Sequence, residues 1–265
     1  MLFLAATLWG YGEKAVYWAP HGCDEGKMSA SKHGAHLKGE STMFALMNTE
    51  TNAHAHLILP NLSEQNLTFN RTTVTLSKPS MGGYYAMVAT GNDTNSTYSA
   101  IRYLSLHGRP CKVSPTRLTA LSKTDLEIVP DPLRREHDRY TASKSYRFLL
   151  RFQGKPLSHT AVTLETHNTP VQIYTTDTAG AFSITLPNDF KNVKVGRNEN
   201  KPSEFLLSTQ YRSGGHLYKS TLSMPYSLNP NDFWQSQSYG AGVIAIGFLG
   251  GLVFYRRSKK GAKNG

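Results

Sequence analysis

Ser145-Tyr146-Arg147-Phe148-Leu149-Leu150-Arg151-Phe152 decides the fold class. Tyr146, Phe148, Leu150 and Phe152 fall at every second position, with Arg147, Leu149 and Arg151 between them. A period of two belongs to a strand with one face buried and the other wet. Downstream, Gln153-Gly154-Lys155-Pro156 turns the chain, and Val162 and Leu164 alternate with Thr163 and Glu165. Val171 to Thr175 reads as another strand. Asp177-Thr178-Ala179-Gly180 then turns into Phe182, Ile184 and Leu186, and strands are expected at Phe205 to Tyr211 and His216 to Leu222. About seven short strands with turn signals at intervals of roughly ten residues predict a β-sandwich. Asn188 to Ser203, polar and rich in asparagine, reads as a surface loop.

Working upstream, Pro130-Asp131-Pro132 and the charged run Arg134 to Arg139 cannot continue a strand and read as a linker. Before it lie strand-like segments at Ser41 to Asn48, Ala53 to Leu59, Thr72 to Ser77, Tyr84 to Ala89 and Tyr98 to Leu106, with Gly22 to Lys38 as loop. No long amphipathic helix interrupts them. The expected fold is all-β, with an N-terminal β domain over 16–122 and an immunoglobulin- or transthyretin-like sandwich over 123–228.

The C-terminal stretch has a different physics. From Tyr239 to Tyr255 nothing is charged at pH 7, and the run extends back to Phe233 and Trp234. Roughly 17 to 23 residues give about 25 to 34 Å of helix, enough to span a bilayer. A single transmembrane helix is expected over 234–255, followed by a basic tail over 256–265. Arg256, Arg257, Lys259 and Lys260 set the topology by the positive-inside rule, with the C-terminus cytoplasmic and the bulk extracytoplasmic, on the periplasmic side. Gly247 and Gly251 form a Gly-x-x-x-Gly pair suited to packing on another helix, either a transporter subunit or a second copy. Equally, glycine is common in membrane helices. Residues 1–15, with the apolar run Leu2 to Trp9, read as the remnant of a secretory signal peptide.

Composition narrows the function classes. The net charge is +11, but five positives belong to the tail and the rest are scattered without an aromatic-interleaved stripe, so nucleic-acid binding is not expected. Cys23 and Cys111 either close one disulfide in an oxidising exterior or are two unrelated buried thiols. No Gly-x-Ser-x-Gly elbow, phosphate-cradling loop or His-Glu-x-x-His helix is present, and no enzyme is expected.

Leu126-Glu127-Ile128-Val129-Pro130, Phe152-Gln153-Gly154-Lys155-Pro156-Leu157 and Thr176-Asp177-Thr178-Ala179-Gly180-Ala181-Phe182 resemble a bacterial periplasmic domain family of unknown function that is associated with nickel and cobalt uptake systems. The likeness covers about Leu121 to Pro187. Gly82-Gly83-Tyr84-Tyr85-Ala86-Met87-Val88-Ala89 carries it weakly into the first block. Its hairpin pieces are shared with carboxypeptidase-regulatory and transthyretin-like sandwiches. What the resemblance implies is an accessory role in metal uptake.

Five of the ten histidines fall within the first 56 residues: His21, His33, His36, His54 and His56. On a strand, His54 and His56 share a face and could chelate one divalent ion, with His33, His36, His21, Asp24 or Cys23 completing the set. Imidazole suits nickel, cobalt, copper and zinc alike. Against this stands a solvated strand face bearing two histidines. Met28, Met43, Met47, Met81 and Met87 hint at soft copper, but core filling explains them better. Sequons open at Asn61, Asn66, Asn70, Asn92 and Asn95, and the bacterial resemblance argues against reading them as glycosylation sites. The expectation is a membrane-anchored accessory protein that binds nickel or cobalt or presents the ion to a permease. Its rival is a cell-envelope scaffold that contacts a protein or the cell wall without metal.

Overall fold

The computed structural model describes residues 14–21, 41–49, 53–77, 79–135, 138–196, 199–233 and 242–252. In the first block these form β1 (Tyr17–Pro20), β2 (Ser41–Met47), β3 (His54–Ile58), β4 (Glu64–Leu67), β5 (Thr73–Ser77), β6 (Met81–Asn92), β7 (Ser96–Leu106), β8 (Arg109–Pro110) and the short helix α1 (Pro115–Ala120). The second block contributes β9 (Leu126–Pro130), β10 (Tyr140–Thr141), β11 (Ser145–Phe152), β12 (Lys155–Pro156), β13 (Ala161–Thr166), β14 (Gln172–Thr175), β15 (Ala181–Thr185), β16 (Ser203–Ser213), β17 (His216–Ser227) and α2 (Pro230–Phe233). The described residues are predominantly β.

Strands of both blocks belong to one large sheet. Its path runs β14-β13-β16-β17-β7-β6-β3-β4, with β10 paired to β17 and β8 to β6. The hairpins β6–β7 and β16–β17 are antiparallel, as short connections require. They meet through a parallel pair, from Leu217 opposite Ser96 to Leu222 opposite Ile101.

Alternation then sorts side chains to opposite faces of this sheet. On β7, Ile101 and Tyr103 enter a core with Ile128, Phe148, Ile184 and Phe205, so the sheet of β9, β11, β12 and β15 covers that face. Ala100, Leu104 and Leu106 instead join Trp18, Phe44, Leu46 and Val74, placing the sheet of β1, β2 and β5 on the other face. The large sheet thus has a core on each face: the smaller is built from the first block, and the larger draws residues from both.

The strand phase expected for β11 is the one observed. Tyr146, Phe148 and Leu150 are buried, Arg147 is exposed, and Phe148 stacks on Phe182 at 5.7 Å. Asp177 fixes the turn into β15, its Oδ1 accepting from the Ala179 and Ala181 amides at 2.8 Å each. Gly180 adopts φ +71°, and a Cβ there would stand 2.8 Å from the Leu150 carbonyl oxygen, so the turn requires glycine.

Residues 242–252 are helical, and Val243, Ile244, Ile246 and Phe248 on it are all exposed. Among the described residues no helix is long and apolar enough to cross a membrane. The remainder of the expected anchor, 234–241 and 253–255, and the tail with Arg256, Arg257, Lys259 and Lys260, lie outside the described residues, as does the expected signal remnant up to 13.

Candidate functional site

The histidine pair sits on β3, whose Ala55 and Leu57 point into the first core. His54 and His56 therefore share the opposite face, His54 exposed and His56 half-buried. Their register neighbours are Thr90 and Val88 on β6 and Asn66 on β4. None of these is an imidazole, thiolate or carboxylate. Among the described residues no group of three or more His, Cys, Asp or Glu could hold a metal ion. His33, His36, Cys23 and Asp24 lie outside them, and His21, at the end of β1 beside β2, forms no such group with His54 and His56, so that pair alone falls short of a nickel or cobalt set. Cys111 is half-buried. Gly247 and Gly251, one turn apart on helix 242–252, have open space where a Cβ would stand.

A second arrangement, invisible in the residue spacing, lies where the blocks join. Thr90 and Asn92 of β6, Thr97 and Ser99 of β7 and Tyr218 of β17 share the sheet face that carries the larger core, just beyond its apolar end. The loop 122–126 passes over them, held by a hydrogen bond from Ser99 Oγ to the Leu126 carbonyl at 3.0 Å. Between loop and sheet is a cleft of about 440 Å³ whose rim also carries Ser122 and Asp125. Thr97 Oγ1 donates to Asn92 Oδ1 at 2.9 Å and lies 2.9 Å from His216 Nε2. Tyr218 packs edge-on against His216 and Phe152, each at 4.9 Å between centroids. His54, in register with Thr90, flanks this floor one strand further out.

Behind the loop, ionisable groups are committed to one another. Lys123 and Glu127 are fully buried at their side chains, with Lys123 Nζ 2.9 Å from Glu127 Oε2 and Arg151 Nη2 2.9 Å from Glu127 Oε1. Lys123 also donates to the Leu121 carbonyl at 2.8 Å, and Arg151 to that of Thr119 at 2.7 Å. Burial holds the Lys123 ammonium below its ordinary pKa, opposed by the Glu127 carboxylate and helped by Arg151. The same burial raises the Tyr103 hydroxyl, with Glu127 adding to it. This cluster closes the junction and offers the cleft no free charge. Lys219 lines the cleft, yet alternation sends its side chain to the other face with Thr221 and Ser223.

On that other face, Arg102 and Glu204 form a buried bidentate pair, at 2.6 Å and 2.9 Å, across β17. The Arg102 guanidinium also stands 5.5 Å from the centre of the Phe44 ring.

Fold and site together define an all-β protein whose two cores share one sheet and whose polar cleft marks their joint. No family model and no curated protein matches the chain. Among solved structures, a two fibronectin type-III domain segment from chicken tenascin aligns with 70% of this chain and 92% of that chain, at 8% identity and a TM-score of 0.23. A likeness at that level carries no argument about this chain.

Proposed function

We propose that the protein is a membrane-anchored extracytoplasmic binding protein, its β-sheet scaffold holding a partner-facing surface outside the cytoplasm and performing no chemistry. The observation that carries this reading is the helix at 242–252. Ile244 and Ile246 on it are 74% and 73% exposed, and a helix apolar on every side calls for lipid around it. The uncharged run that continues to Tyr255, and the Arg and Lys residues after it, support a single span with the C-terminus inside. A reporter active only outside the cytoplasm should work when fused after Ser223 and be silent after Gly265. The reverse pattern overturns the reading.

A second reading, presentation of nickel or cobalt to a permease, is favoured by one observation: His54 and His56 point to the same side of β3. It also draws on the family resemblance of the segment from Leu121 to Pro187. The full chain should then take up about one Ni²⁺ or Co²⁺, and His54→Ala or His56→Ala should each weaken it strongly, since one imidazole cannot chelate. Uptake untouched by both substitutions, or none by the unaltered chain, removes this reading and leaves the first standing.

A further inference from the structure

The cleft at the joint of the two blocks is the feature that neither reading uses. We propose that it binds a saccharide, Tyr218 packing on the apolar C–H face of a sugar ring while Asn92, Thr97 and Asp125 exchange hydrogen bonds with its hydroxyls. This deepens the binding-protein reading by naming a ligand class for the exposed surface, and it rests on that reading only for which side of the membrane meets the sugar.

Four observations select that chemistry. The volume, about 440 Å³, lies within the range of small-molecule sites. Most of the lining is hydroxyl, joined by the Asn92 amide and the Asp125 carboxylate, which suits a ligand that donates and accepts hydrogen bonds at many points. An anion finds no cation to meet, because the Lys123 ammonium is spent on Glu127 and the carbonyls beneath the loop. A divalent cation would find the single carboxylate of Asp125, too few donors to hold it.

The remaining feature is aromatic. Tyr218 is half-buried at the cleft and braced by Phe152 and His216, while Tyr211 also packs on Phe152 at 4.9 Å. An aromatic ring with a polar tip, fixed by neighbours, gives contact area at low entropic cost and can serve apolar and polar parts of one ligand. A pyranose has that dual nature. Hydroxyls on its rim would replace cleft water, and its C–H face would cover the ring. The floor consists of paired strands, and the loop over it is pinned by the Ser99 to Leu126 hydrogen bond, so the site is held in place before any ligand arrives.

The test uses the full-length chain, purified in a sugar-free detergent and titrated by calorimetry with glucose, N-acetylglucosamine and their β-linked oligomers. Binding is expected with Kd near 1 mM or tighter for at least one of them. Tyr218→Ala should weaken it about tenfold and Asp125→Asn about threefold, whereas Ile173→Ala, on exposed β14 far along the sheet, should leave it unchanged. Thermal melts accompany each variant. If Tyr218→Ala lowers the melting temperature, the exposed and conservative Asp125→Asn decides alone. No binding of any sugar by the unaltered chain, or binding insensitive to Asp125→Asn, overturns the proposal. The fusion reporters are read separately, so a failed sugar titration with the expected topology leaves the anchored reading intact.

Discussion

Arg102 and Glu204 show what a single pair does for this molecule. Both are buried, their two hydrogen bonds bridge β7 and β16 over the intervening β17, and Arg102 Nε has no partner among the described residues. Removing one member leaves a buried charge without its counter-ion, so Arg102→Ala should cost about 3 to 5 kcal/mol in urea unfolding. Arg102→Met combined with Glu204→Leu should recover most of that loss. Glu165 behaves differently. It is half-buried on β13, and burial raises its pKa above the ordinary 4.5. The folded state then holds this proton more tightly than the unfolded chain. The resulting stabilisation is full below about pH 4.5 and is lost as pH rises through the folded value. Glu165→Gln should therefore raise the melting temperature at pH 7 and leave it unchanged at pH 4.

Single elements differ in how plainly their residues announce them. In β11 Tyr146, Phe148 and Leu150 are buried at alternate positions as expected, and Phe152 at its end is half-buried. Phe148→Ala should cost about 3 to 5 kcal/mol, while Arg147→Ala should cost little, its ion pair with Asp131 being exposed and 3.4 Å long. Equal losses in denaturant melts would mean that the strand faces are reversed. β6 is less plain. The segment expected from Tyr84 to Ala89 is longer in the structure, where the strand begins at Met81 and runs through Gly82 and Gly83. The reason is tertiary: β8 lies alongside, and a Cβ on Gly82 would come 2.7 Å from the Gly108 carbonyl oxygen. α1 escaped because six residues are too few to show a period. Its signal was local, Ser114 capping Thr116 with Pro115 in the first turn.

At the scale of the whole molecule, the longer strands were legible, while short ones such as β4, β8, β10 and β12 and the neighbours of all of them were not. Periodicity says which face of a strand is buried. It does not say that β17 will lie parallel to β7, the pairing that runs one sheet through both blocks. The cleft was hidden for the same reason: Asn92, Asp125 and Tyr218 have no mutual spacing to read, and only the parallel pairing brings them together. A shared sheet couples the two cores, so unfolding should be one cooperative transition. With Trp9 and Trp234 replaced by Phe, Trp18 fluorescence reports the first core, and its urea midpoint should match that of far-UV circular dichroism. Phe148→Ala, in the second core, should shift both together. Two separated transitions would mean that the blocks fold independently.

The first strand of the structure is seated by one of the last. Thr221 Oγ1 donates to the Val16 carbonyl and Ser223 Oγ to that of Trp18, each at 2.6 Å and each across 205 positions of chain. Contacts so remote in sequence close late and slowly, because the entropy of the enclosed loop is lost before they form. A chain delivered from its N-terminus must therefore wait, with β1 unsealed, until β17 has emerged. During that interval the core around Trp18 and Phe44 can already close, since its members all lie within residues 16–106, and what waits for the final strand is the satisfaction of two buried carbonyls.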